Sequence, residues 1–168
     1  DMARTHAAVA AALTMHAGEL FLVGGDISGV QDFIYTVTAD GATKQLRGRS
    51  FYLQLLTEAC AHYLLQAAGM PLTNLLYAGG GRFYLVMPGV INGMNAADWL
   101  SDQRTPLDVF LLRRHQGELY LALGGGLLPK GALLDSSAFR DAWRGANEMV
   151  NVAKQRRFGD LGAAYQRE

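Results

Sequence analysis

"TNLLYAGGGRFYLVMPG", residues 73–89, sets two apolar runs on either side of three consecutive glycines. Glycine reaches the positive φ angles that tight hairpin turns require, so the stretch reads as two adjacent antiparallel strands joined at Gly79, Gly80 and Gly81. Upstream, Phe51, Leu55, Cys60, Tyr63 and Leu64 recur near helical spacing between Ser50 and Ala68, and Gly69 followed by Pro71 is a helix stop. "ELFLVGG", residues 19–25, has the length and composition of a strand. Between that strand and the helix, residues 28–45 predict a short helical turn and then a loop, with Asp40-Gly41 marking a turn.

Downstream of the hairpin, "NAADWLSDQ" predicts a helix that Thr105-Pro106 interrupts and "LDVFLLRRH" resumes. "GELYLALGGG" supplies an alternating strand over 118–123. A last helix is expected from about Ser136 to Arg157, with Ser136 or Ser137 as its N-cap. Residues 2–17 are good helix formers that stop at Gly18. Without that first helix the order is β-α-β-β-α-β plus a final helix, an α+β fold of the ferredoxin-like split βαβ type. The expected organisation is a linker helix over 1–18, one domain over 19–158, and a charged tail over 159–168.

Composition narrows the function classes. The chain has 168 residues, half of them hydrophobic, which suffices for one core without disulfides or metal. Fifteen basic residues balance fifteen acidic ones, so no global field announces nucleic acid as a partner. The single cysteine, Cys60, sits in an apolar stretch and reads as a buried structural thiol. The histidines at 6, 16, 62 and 115 form no zinc-ligand spacing and read as surface or half-buried residues. No run approaches the roughly eighteen apolar residues of a membrane span, and the N-terminal stretch is too weakly apolar for a secretory signal, so a cytosolic protein is expected. Asp1 ahead of Met2 suggests a tag or a piece of a longer chain.

In the expected fold the first and third strands are the central pair, which brings Asp26-x-Ser28-Gly29 beside the Gly79–Arg82 turn. Main-chain N–H groups around Ser28 and Gly29 are then candidates to meet an anionic ligand, and the glycines permit close approach of one. Lys44, Arg47 and Arg49 add positive charge just before the long helix. Each motif alone is more often ordinary turn chemistry than a site. "GLLPKGAL", 126–133, lacks the Lys-Ser/Thr of a P-loop, and no G-x-G-x-x-G or G-x-S-x-G is present.

"GDISGVQDFIY", "LRGRSFYLQLL", "NLLYAGGGRFYLVMP" and the closing "AKQRRF" together resemble the first Palm domain of the large, polymerase/cyclase-like subunit of type III CRISPR effector complexes, in its Csm-type form. The resemblance covers nearly the whole chain. It implies a parent subunit with an HD nuclease domain, two Palm domains, a zinc-bearing domain and a helical C-terminal domain, converting ATP to cyclic oligoadenylate when target RNA binds. Expected partners are the second Palm and the other domains of that subunit, the small subunits and guide RNA, and no membrane; alone, the chain is expected to be capable of homodimerising. In the catalytic second Palm the hairpin reads Gly-Gly-Asp-Asp and holds two Mg²⁺ ions. Here Gly81 and Arg82 stand at the positions of the two aspartates. The resemblance therefore implies a nucleotide-binding half-site without independent catalysis, using Asp26, Ser28, Gly29, Gly79, Gly80, Gly81 and Arg82, with Lys44, Arg47 and Arg49 serving ATP or interdomain contacts. Mg²⁺ is expected only with the second Palm, Asp26 being a weak metal candidate. The competing readings are a docking module without nucleotide contact and an independent diguanylate-type cyclase.

Overall fold

The computed structural model describes residues 19–36, 42–129, 132, 135–159 and 161; the expected helix over 2–17 and most of the tail after 159 lie outside them. Strand β1 (Leu20–Ser28) is followed by the short helix α1 (Val30–Tyr35) and the long helix α2 (Ala42–Ala67). The hairpin is β2 (Leu75–Gly79) and β3 (Arg82–Pro88), and a two-residue ribbon, β4 (Val90–Ile91) and β5 (Met94–Asn95), leads into α3 (Ala96–His115). Strand β6 (Tyr120–Leu128) and helix α4 (Ser136–Lys154) complete the set. The main sheet has the order β2-β3-β1-β6, with every neighbouring pair antiparallel. This is the ferredoxin-like arrangement expected from the sequence, with β1 and β3 at its centre.

Alternation along the strands makes two buried faces. One carries Phe21, Val23, Phe83, Leu85, Leu121 and Leu123, all buried, and is covered by α2 and α3. The other carries Gly24, Tyr84, Ala122 and Gly124, and α4 lies across it on Ala146, Val150 and Ala153, a stripe at helical spacing. Gly24 and Gly124 are cross-strand partners. A Cβ on Gly124 would stand 2.4 Å from the Val150 nitrogen and 2.6 Å from the Met149 carbonyl carbon, so the helix backbone itself occupies the space a side chain would need. Tyr84 holds the helix from the neighbouring strand, donating to Asn147 Oδ1 at 2.7 Å and stacking on Trp143 at 4.0 Å between ring centroids.

Several boundaries differ from the sequence expectation. Helix α2 begins at Ala42, eight residues before Ser50, which places Lys44, Arg47 and Arg49 on the helix instead of in a preceding loop. The stretch is basic and contains Gly48, both loop-like marks, yet its Ala, Lys, Gln, Leu and Arg propagate helix well. Helix α3 runs unbroken through Pro106. Both Pro106 and Asp102, whose carbonyl loses its intrahelical donor, are exposed, on the side of the helix where solvent lowers the cost of the lost bond. Strand β6 continues to Leu128 instead of stopping at Leu123, because Gly124–Gly126 pair with β1. The cap of α4 is Asp135, which accepts from the Ser137 and Ala138 backbone N–H groups, while Ser137 donates its hydroxyl to the same carboxylate oxygen. The "FYLQLLTEACAHYLL" helix buries Leu53, Leu56, Cys60, Leu64 and Leu65 in the core but exposes Phe51, Leu55 and Tyr63.

Cys60 is buried as expected, and its thiol is pushed up to about 12 by desolvation, which keeps it inert.

The seat of α4 on glycine gives a stability test. Gly124→Val forces a branched side chain into helix backbone and is expected to cost about 3 kcal/mol or more in denaturant unfolding. Gly126→Ala, where a Cβ meets its nearest atom at an ordinary 3.9 Å, should lie close to the parent.

Candidate functional site

Strand register fixes the centre of the site. Asp26 and Arg82 are direct partners in the β1–β3 ladder, so their side chains leave the same face of the sheet, the face that α4 covers. The last turn of α4 delivers Lys154 to the same point. Lys154 Nζ lies 2.8 Å from Asp26 Oδ2, and Arg82 Nε donates to that same oxygen. The Asp26 side chain is 12% exposed, against 55% for Arg82 and 30% for Lys154. A well-anchored anion is thus held between two cations that still reach solvent.

These groups line an open cleft of about 650 Å³ bounded also by Ser28, Gly29, Asp32, Tyr77, Gly79 and Gly80. Six residues singled out in the sequence therefore meet in one place: Asp26, Ser28, Gly29, Gly79, Gly80 and Arg82. Gly81 lies just behind the wall, where its carbonyl accepts from the Ile27 backbone N–H at 2.7 Å and ties the hairpin turn to β1. Gly29 has a structural requirement of its own. Its φ is 87°, and a Cβ there would come within 1.9 Å of the Glu118 carbonyl oxygen. At Gly80, by contrast, a Cβ would meet nothing within 4 Å, so only its φ of 60° restrains it and its open side faces the cleft.

The basic residues of α2 are not brought to the cleft. Lys44 and Arg47 are exposed on α2, and neither lines it. Arg49 donates Nη1 to the Phe33 carbonyl and stacks its guanidinium over the Phe33 ring at 5.1 Å, fastening α1 to α2. Phe33 also packs against Tyr52 and His115, whose ring centroids lie 5.9 and 6.0 Å away, and Tyr52 and His115 share a 3.1 Å hydrogen bond. This cluster supports α1, the outer rim of the cleft, from behind. His115, expected to be a surface or half-buried residue, is buried here, and His62 is exposed; His6 and His16 lie outside the described residues. Lys154 is a site residue that sequence reasoning missed although "AKQRRF" contains it, because nothing local in the sequence shows that α4 crosses back over the first strand.

The Mg²⁺ pair of a catalytic Palm does not fit these residues. Two divalent ions need several carboxylates; the cleft offers two, and of these Asp26 is already compensated by Arg82 and Lys154 while Asp32 belongs to α1. Among the described residues no group of three or more His, Cys, Asp or Glu side chains is placed to hold a metal ion.

An antiparallel sheet of this order, with an acidic residue on its central strand beside a glycine hairpin, defines a ferredoxin-like Palm domain. The chain belongs to the family described as Csm1 subunit domain B, which matches residues 19–166. Relatives described as CRISPR system single-strand-specific deoxyribonuclease Cas10/Csm1 (subtype III-A) include that of Methanocaldococcus jannaschii, 33% identical over 83% of this chain and 18% of its own length. The Streptococcus thermophilus relative is 34% identical over 83% of this chain and 19% of its own, and that of Mycobacterium tuberculosis 36% identical over 78% and 15%. The chain thus spans less than a fifth of these curated relatives. Among solved structures, the Csm1-Csm4 cassette in complex with one ATP superposes with a TM-score of 0.82 at 26% identity, over 97% of this chain and 24% of that one. The apo cassette gives 0.80 at 25% identity over the same shares. Among the described residues no helix is long and apolar enough to cross a membrane.

His115 makes the rim sensitive to pH. Burial, and then the nearby Arg114 charge, lower its pKa below the ordinary imidazole value. The unfolded chain therefore takes up this proton more readily than the folded one, so stability is fully present above about pH 6.5 and is lost as pH falls below it. Chemical denaturation from pH 7.5 to 5 should show that decline, and His115→Gln should flatten it.

Proposed function

We propose that this chain is the first, non-catalytic Palm of a type III-A CRISPR large subunit. Its cleft serves as one half of an ATP site that the second, Gly-Gly-Asp-Asp Palm completes for cyclic oligoadenylate synthesis. The observation that carries this reading is the convergence of Ser28, Gly80, Arg82 and Lys154 on one open cleft beside a carboxylate that is already neutralised. Charged hydrogen bonds from a guanidinium and an ammonium suit phosphate oxygens, and a glycine turn lets a triphosphate lie close to the backbone. The solved Csm1-Csm4 cassettes in complex with ATP and with AMPPNP, similar over almost the whole chain, support a nucleotide as the ligand class. In this reading the metal ions and the reacting 3′-hydroxyl are held by the second Palm, and this chain binds and orients phosphate. The domain proper runs over 19–158, and its setting is the cytoplasmic effector complex with guide RNA and, through it, target RNA. Lys44 and Arg47 are assigned to contacts with other parts of that complex, since they stand away from the cleft.

A docking role is favoured by a separate observation. Phe51, Leu55, Tyr63 and Phe110 are exposed on α2 and α3, on the opposite side of the sheet from the cleft. Tyr63 and Phe110 flank an apolar groove of about 270 Å³ that reaches down to Cys60 and Leu107. This surface would engage the rest of the subunit or a Csm4-type partner, a reading supported by solved neighbours that are complexes of Csm1 with Csm4. The two roles use opposite faces and are separable by mutation.

ATP titration calorimetry on the large subunit, parent against Ser28→Arg, tests the nucleotide reading. The variant is expected to lose affinity by about tenfold or more while assembly is retained. Unchanged ATP binding, or lost assembly with binding intact, would leave docking as the function.

A further inference from the structure

The Asp26 carboxylate receives two cations on one oxygen, an arrangement that a structural ion pair does not require. Resting on the half-site reading above, we propose that Asp26 is an internal stand-in for a ligand phosphate. A polyphosphate entering the cleft takes Arg82 and Lys154 over from the carboxylate, without a metal ion.

The mobile and fixed members are distinguishable. Asp26 lies within the central strand, paired through the backbone with Arg82 on one side and Ala122 on the other, and its side chain is 12% exposed. It cannot follow a ligand. Arg82 opens β3 at the edge of the hairpin turn and is 55% exposed; Lys154 ends α4 and is 30% exposed. Both reach Asp26 by flexible stems and can swing without moving a strand or a helix. Only Nε of the guanidinium accounts for the Arg82–Asp26 pair, and a guanidinium presents five N–H donors, suited to the paired oxygens of a phosphate.

Charge supports the exchange. The charged side chains lining the cleft are Asp26, Asp32, Arg82 and Lys154, two of each sign, so the cleft without ligand is formally neutral. A phosphate group of a nucleoside triphosphate brings as much negative charge as Asp26 or more, in a chain of three such groups, and competes for the two cations. In the exchanged state Asp26 opposes the incoming anion. It therefore lowers affinity, and it selects ligands with several adjacent phosphates over single anions such as inorganic phosphate. A metal-ligand role for Asp26 predicts the contrary sign, because removing a ligand carboxylate weakens a metal-dependent nucleotide site.

The experiment is calorimetric titration of the full-length large subunit with ATP, inorganic triphosphate and inorganic phosphate in EDTA, which silences metal-dependent sites elsewhere in the subunit. Asp26→Asn is expected to tighten ATP and triphosphate at least about threefold and to steepen the salt dependence. Arg82→Gln and Lys154→Met are expected to weaken both, and Asp26→Asn with Arg82→Gln to return towards the parent. Asp26→Ser serves as a second neutral variant if Asn destabilises the strand. Should both neutral variants bind ATP as the parent does, or more weakly, while Ser28→Arg abolishes binding, the stand-in role falls and the nucleotide site stands. If Ser28→Arg also binds as the parent does, the cleft is not the nucleotide site and both readings fall.

Discussion

The contact on which the rest of this molecule depends is the one between helix α4 and a pair of glycines. A sheet in this topology normally buries one face under its two crossover helices and leaves the other open. Here Gly24 and Gly124, side by side on adjacent strands, remove the side chains that would hold a third helix away, and the backbone at Met149 and Val150 settles directly onto the sheet. Tyr84 and Tyr120 then fix the helix along its length, through Asn147 and Trp143 at one end and the Ala153 carbonyl at the other. The position of Lys154, and with it the electrostatics of the cleft, follows from that seat.

The local chemistry of strands and turns was legible in the sequence because it is written in neighbouring residues. The hairpin at Gly79–Gly81 and the Asp26-x-Ser28-Gly29 strand end follow from patterns a few residues long, and the strand order follows from the succession of elements. What escaped the sequence was long-range. Two Gly-Gly-Gly runs occur, at 79–81 and 124–126. One makes a turn and the other is ordinary strand, and only the helix packed on Gly124 and the Phe21 ring packed on Gly125 tell them apart. Pro106 misleads for a similar reason: its cost depends on whether the freed carbonyl faces water, which periodicity does not reveal. Lys154 is separated from Asp26 by 128 positions and has no local mark at all.

The cleft gathers two cations, Arg82 and Lys154, around one carboxylate beside the glycine turn. Inverting the charge leaves the ladder untouched, since the β1–β3 hydrogen bonds run through the backbone of Asp26 and Arg82 whatever their side chains are. Glycine at 29 is required by the Glu118 carbonyl before any ligand is considered, so its identity is a weak guide to binding, whereas no neighbouring atom makes such a demand at Gly80.

The glycine seat has a consequence for how the chain tolerates change in length. Because α4 is indexed by the fit of Val150 over Gly24 and Gly124, its register does not depend on the length of the connection from β6 to α4, which packs on the core at Ala132. Insertions in that connection, between Leu128 and Asp135, would leave the helix in the same register and Lys154 over the same strand. A one-residue insertion within α4 between Val150 and Lys154 would instead rotate the ammonium by about 100° around the helix axis and detach it from Asp26. Variation in length is thus cheap on one side of the seat and disabling on the other.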